Sequence, residues 1–149
     1  MRFFHGIYKF LRLPFSEKRL ILVAIYYLLF YSFLIYLIPF RLWVDRIGKK
    51  KETMDQNLLK DNEKVYVKKV KLSIFRANKI LLELGKCFAI SLALKTMLSK
   101  KRIDTTLFLG VRKANSESLV AHAWLKVGDL TLYGGSKSQH FYKELLSFT

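Results

Sequence analysis

Cysteine is almost absent from this chain of 149 residues: Cys87 is the only one. An intrachain disulfide is therefore excluded, and so is a zinc site built on several thiolates. Acidic side chains are scarce as well. Eleven Asp and Glu stand against 27 Lys and Arg, which leaves a formal charge of +16. Such a balance suits a polyanion, an anionic membrane face or an acidic peptide as partner. The usual nucleic-acid modules are missing, with no zinc-finger cysteines and no aromatics interleaved with glycines as in a single-strand binder. No nucleic acid is expected as partner. The sequence also lacks internal repeats and low-complexity tracts.

Apolar residues are plentiful, at 52% of the chain, and this excludes disorder throughout. The length suits one domain, or one small domain with an appendage. From Leu20 to Phe40 run 21 residues without a charge, and proline and glycine are absent until Pro39. That is about the length needed to cross a bilayer core. It is too long for the apolar part of a secretory signal, and no small-residue cleavage site follows. Two readings stand. The stretch enters a membrane, or lies in its surface with Tyr26, Tyr27, Tyr31 and Tyr36 at headgroup level. Alternatively, it is an apolar helix covered by the rest of the protein or by a partner. Lys18 and Arg19 precede it, and Arg41, Arg46, Lys49, Lys50 and Lys51 follow, so flanking charge sets no orientation. The expected location is cytoplasmic, with membrane association through this helix as the alternative.

Changes of character divide the chain in three. Residues 1–48 form a basic and hydrophobic N-terminal helical segment, 49–64 a polar linker, and 65–149 the domain that carries the chemistry. In that domain Val70, Ile74, Ala77, Leu81 and Leu84 recur at helical spacing, and Gly85 is expected to end this helix in a left-handed cap. A second helix should start near Cys87 and reach Ser99. It is apolar nearly all round, which marks a buried central helix. Lys100, Lys101 and Arg102 stand at its C-terminal end, where the helix dipole favours cations. Thr105 to Arg112 and Leu119 to Val127 read as strands, Gly128-Asp129 as a tight turn and Leu130 to Tyr133 as a returning strand. Phe141 to Phe148 is a short helix or strand.

A lone cysteine is commonly a small buried hydrophobe. Cys87, however, heads a helix. Backbone N–H groups there stabilise a thiolate and the oxyanion of acyl transfer. An imidazole beside it would take the thiol proton and return one to a leaving amine. His122, in Ala121-His122-Ala123-Trp124, is the candidate base, 35 residues away, so the two meet only through the fold. A carboxylate or amide normally orients such a base. In a regular hairpin His122 would face Gly135, and nothing acidic lies there. Asp129 sits at the turn and Asp104 at the start of another strand, so Asp129 is the doubtful third candidate. His5 belongs to the basic arm and His140 to an exposed polar stretch. Trp124 is most simply a core or pocket-wall residue.

Three blocks together carry a resemblance: Lys86-Cys87-Phe88-Ala89-Ile90-Ser91-Leu92-Ala93-Leu94, Leu109-Gly110-Val111-Arg112, and Ala121-His122-Ala123-Trp124-Leu125. With the closing Leu132-Tyr133-Gly134-Gly135, Phe141 and Leu145, the region Val65 to Phe148 resembles the transglutaminase-like domain of lasso peptide leader peptidases of the split, second B type. The N-terminal segment resembles that family's N-terminal helices. The resemblance implies an α+β fold: a transglutaminase/papain-like core, in which a buried helix carrying the cysteine packs on a small antiparallel sheet, preceded by a hydrophobic helix. It implies Cys87 and His122 as the catalytic pair and no cofactor or metal. The implied substrate is a ribosomally made precursor peptide. The implied partners are a small leader-binding protein and an ATP-dependent cyclase that closes the macrolactam. Many relatives place an aspartate about a dozen residues after the histidine, where this chain has Gly134. That leaves Asp129, a backbone carbonyl, or no group at all to orient His122. A fold of this kind that holds the precursor without chemistry is the alternative reading.

Overall fold

The computed structural model describes residues 12–48, 59–113, 118–135 and 141–149. His5, His140 and most of the polar linker lie outside the described residues. Helix α1 spans Phe15–Leu37, α2 Asp61–Ile80 and α3 Cys87–Ser99. Two short 3₁₀ turns, Phe40–Leu42 and Val44–Arg46, follow α1. Strands β1 (Thr106–Lys113), β2 (Leu119–Val127), β3 (Leu130–Tyr133) and β4 (Lys143–Phe148) form one antiparallel sheet in the order β3-β2-β1-β4. The fold is thus α+β, a helical layer on a small antiparallel sheet behind an apolar N-terminal helix.

Each helix obeys its sequence pattern. On α2, Val67, Val70, Ile74 and Ala77 are buried on one face, while Lys64, Lys68, Lys69 and Lys79 are exposed on the other. Glu63 accepts a hydrogen bond from the Lys60 backbone N–H at 2.8 Å, closing the first turn. The helix begins at Asp61, so the end of the polar linker belongs to it. Helix α3 buries Ala89, Ile90, Ser91, Leu92, Ala93, Leu94, Met97 and Leu98. A helix with no polar stripe has to be surrounded. Here α1 and α2 cover one side, and Ala123, Leu125 and Val127 of β2 share a core with it on the other.

The end of α2 corrects the expectation for Gly85. The helix stops at Ile80, and the left-handed residues are Leu82 (φ 52°) and Glu83 (φ 61°). The Glu83 N–H donates to the Asn78 carbonyl at 2.8 Å, which closes the turn before Gly85 is reached. Gly85 answers a different need, close approach. A Cβ there would lie 2.7 Å from Asn78 Oδ1 and 3.0 Å from a Leu28 methyl. Leu84, expected on the buried face, lies beyond the helix and is 50% exposed.

The hairpin also departs from regularity. Val127 pairs with Leu130 and Lys126 with Thr131, but Leu125 pairs with Tyr133. Leu132 is inserted as a bulge, and both Leu132 and Tyr133 reach the helical core. At the other edge the terminal segment resolves to a strand, with Phe148 opposite Leu107.

Lys95 holds a half-buried charge in this scaffold. The Lys95 ammonium donates to the Thr105 carbonyl at 2.9 Å and to the Phe148 carbonyl at 3.5 Å, tying α3 to β1 and β4. Burial lowers its pKa to about 8, against the opposing pull of Asp104. The folded state therefore disfavours the protonated lysine, which is the form that fills below pH 8. Stability should rise as pH climbs from 8 towards 10.5. Denaturant melts of the wild type and Lys95→Met across that range test this. The difference should move in favour of the wild type by about 1–2 kcal/mol, allowing for partial exposure of the amine. A difference that is flat with pH would contradict it.

Candidate functional site

Helix α3 opens on Cys87 because Lys86 is held in extended backbone (φ −78°, ψ 168°) and the following run is uniformly apolar. The Lys86 side chain does not cap this turn, and among the described residues no hydrogen-bond acceptor is seen for its first N–H groups. The segment after α1 braces the helix start. Phe40, Trp43 and Phe88 form an aromatic triangle with centroids 5.3 to 5.7 Å apart, and Trp43 Nε1 donates to the Ile38 carbonyl at 3.2 Å.

A tight turn connects α3 to β1, with Lys101, Arg102 and Ile103 donating back to Leu98 and Ser99. The helix therefore runs back along the sheet, and its first residue reaches the end where β3 finishes. Cys87 is partly buried and packs on the core beside Tyr133. Burial first, and then the charge of the nearby Cys87 sulfur, raise the Tyr133 phenol above its ordinary pKa.

His122 is fixed at the same end. Its Nε2 lies 3.0 Å from the Gly134 carbonyl oxygen. A carbonyl only accepts, so Nε2 carries the proton and Nδ1 keeps the lone pair. The ring is held between Tyr142, 4.9 Å away, and Trp124, 6.3 Å away. Behind it runs a continuous stack. Trp124 lies almost parallel to Phe108 (5.5 Å, 7°), Lys126 caps Phe108 and Arg112 caps Tyr142. Gly110 makes room for it, because a Cβ there would come within 2.8 Å of the indole. Among the described residues Trp124 Nε1 is buried without a hydrogen-bond partner, and ring packing holds the indole.

Thiol and imidazole thus converge on consecutive residues, Tyr133 and Gly134, from different sides. Alternation along β2 puts His122 with Trp124 and Lys126, whereas Ala123, Leu125 and the paired Tyr133 face the helices. Among the described residues no hydrogen bond joins Cys87 to His122. Asp129 is exposed in the hairpin turn, and five residues of strand, about 17 Å, separate His122 from Val127 beside that turn. Asp104 is exposed near Lys95, at the start of β1. Neither acid stands at the imidazole, and the Gly134 carbonyl occupies the orienting position instead. A backbone carbonyl was one of the orienting groups the sequence left open, and it is that of Gly134; Tyr142 is the site residue that sequence reading did not single out. Tyr142 carries no local signal, because only the pairing of β4 with β1 brings that segment to His122. Nor do three His, Cys, Asp or Glu side chains gather where a metal could sit, among the described residues.

The structure also explains why glycine occupies position 134. Its φ is +92°, and a Cβ would collide with the Trp124 backbone and Cβ. An aspartate cannot take this place without displacing the indole.

Two measurements check this geometry. Imidazole ¹⁵N shifts should report His122 as the Nε2–H tautomer, and an Nδ1–H tautomer would contradict the assignment. Gly134→Asp should lower unfolding stability by about 2 kcal/mol or more, from the left-handed backbone and the collision together. Unchanged stability would mean that the turn relaxes freely.

No curated protein and no solved structure matches the chain. The family model for the transglutaminase-like superfamily matches residues 34–147. That span starts at the last turn of α1, takes in the aromatic brace under Cys87, and ends within β4. With more than half of its length matched, and with a cysteine-headed helix on an antiparallel sheet that carries the histidine, the chain belongs to the transglutaminase-like superfamily.

Proposed function

We propose that this protein is a cysteine peptidase that removes the leader from a ribosomally made lasso peptide precursor. It would work beside a small leader-binding protein and an ATP-dependent cyclase that closes the macrolactam. One observation carries the catalytic part: the only thiol heads a buried helix at the end of the sheet where a histidine is held through Nε2, with no partner on Nδ1 among the described residues. The superfamily includes cysteine peptidases, and the sequence blocks around Cys87 and His122 supply the finer assignment. The charge of +16 suits an acidic leader.

In this reading His122 Nδ1 takes the proton of Cys87. The thiolate attacks the carbonyl carbon at the leader–core junction, and first-turn N–H groups of α3 stabilise the oxyanion. The C–N bond breaks as Nδ1–H protonates the departing amine, which becomes the N-terminus of the core. The leader stays on sulfur as a thioester. His122 then deprotonates a water that hydrolyses it and restores the thiol. The Gly134 carbonyl orients the ring and supports the imidazolium as a neutral acceptor, in place of a carboxylate. In the structure the sulfur lies on the helix side of the sheet and His122 on the opposite face of β2, with Tyr133 and Gly134 between them, so this proton transfer requires the end of β3 to shift aside when the precursor is engaged.

The second reading is a precursor-holding module without chemistry. It draws support from the lack, among the described residues, of a Cys87–His122 hydrogen bond, and from His122 lying on the face of β2 turned away from the helices. Cleavage of the precursor, with the partner protein present, separates the two. Cys87→Ala should abolish it, and His122→Ala should slow it by about 10²–10⁴-fold with the fold intact. Wild-type cleavage by Cys87→Ala would sink the peptidase. A thiol that resists alkylation near neutral pH, in a protein that leaves the precursor intact, would favour the holding module.

A further inference from the structure

Helix α1 is apolar all round, but the fold covers only part of it. Ile21, Ala24 and Leu28 are buried against the other helices. Tyr31 shares a 2.6 Å hydrogen bond with Thr96, and Glu17 accepts from Arg76 at 2.7 Å. Among the described residues nothing covers the opposite side. Leu22, Tyr26, Phe30, Phe33 and Leu37 are 47 to 67% exposed, and Phe15 is 82% exposed. Their spacing of 7, 4, 4, 3 and 4 residues keeps them on one face. The stripe runs about 33 Å along the helix. Tyr26 and Phe30 stack within it at 6.3 Å.

We infer that α1 lies in the plane of an anionic membrane, with this stripe sunk into one leaflet and the domain resting on the surface. Three observations select this occupant. Exposed basic residues stand towards both ends, Arg19 between Phe15 and Leu22 and Arg41 and Arg46 after Leu37. Both ends therefore belong at headgroup level, as in a helix lying flat. A helix crossing the bilayer is incompatible with the packing, because α2 lies along α1 and would carry Lys64, Lys68, Lys69 and Lys79 into hydrocarbon. A second copy of the chain is disfavoured by charge, since each copy carries +16. Aromatic side chains in the stripe match the interfacial preference of such rings. This inference stands apart from the peptidase reading.

Sedimentation of the full-length chain with vesicles tests it. The chain should pellet with vesicles of phosphatidylcholine and phosphatidylglycerol at 7:3, and at least several-fold less with phosphatidylcholine alone. Phe30→Asp with Leu37→Asp changes two exposed positions, so the fold should survive, and partitioning should fall about tenfold or more. A cysteine-reactive, membrane-impermeant probe then reports geometry, using Arg19→Cys or Arg41→Cys on a Cys87→Ala background. Both positions should label from outside on pelleted vesicles. Failure to pellet, equal pelleting of the aspartate variant, or protection of one end would each overturn the inference. So would a wild-type dimer in gel filtration that the aspartate pair converts to monomer.

Discussion

The structure depends on burying a helix that has no polar face. Helix α3 can exist only if both of its sides are covered. The sheet closes one side, and α1 and α2 close the other. This single demand draws α1 and the residues after it into the same core as the strands, so the family match begins well before the cysteine. It also sets the position of the thiol. A buried helix has to emerge somewhere, and its first residue comes out at the end of the sheet where β3 stops.

The second constraint is the crowded outer face of β2. Aromatic rings and cations alternate from Lys126 through Phe108, Trp124, His122 and Tyr142 to Arg112. Two glycines make the ladder feasible, Gly110 beneath the indole and Gly134 beside the Trp124 backbone. The same glycine that clears space for the tryptophan turns its carbonyl towards the imidazole. A main-chain acceptor thereby holds the ring, where the family resemblance pointed to an aspartate. A carbonyl fixes a tautomer as well as a carboxylate does, but it brings no full negative charge to support an imidazolium.

Charge and apolar surface are segregated in the helical layer. Lysines stand along the exposed face of α2 together with Val65 and Leu72, aromatic and aliphatic side chains along the exposed face of α1, and Glu17 pairs with Arg76 between the two helices. The result is a strongly basic body with one long greasy edge. Apolar area and positive charge act together at an anionic surface, where each alone would bind weakly.

The α+β class came from the family resemblance, while periodicity and composition alone determined the buried helix from Cys87 to Ser99, the strands from Leu119 to Val127 and Leu130 to Tyr133, and the identity of the lone thiol. These are local properties: an apolar run with a period of 3.6 has to be a covered helix, and an alternating run bounded by Gly-Asp has to turn back on itself. The sequence left open how α1 is covered, which side of the sheet His122 faces, and what holds its ring. Tertiary structure decided these. A one-residue bulge at Leu132 shifts the hairpin register, and a left-handed Gly134 turns its carbonyl inward. The pairing of β4 with β1 carries Tyr142 to the imidazole. Packing of α2 against one side of α1 leaves the other side bare. Each outcome depends on contacts between residues distant in the chain, and neither spacing nor residue type encodes them.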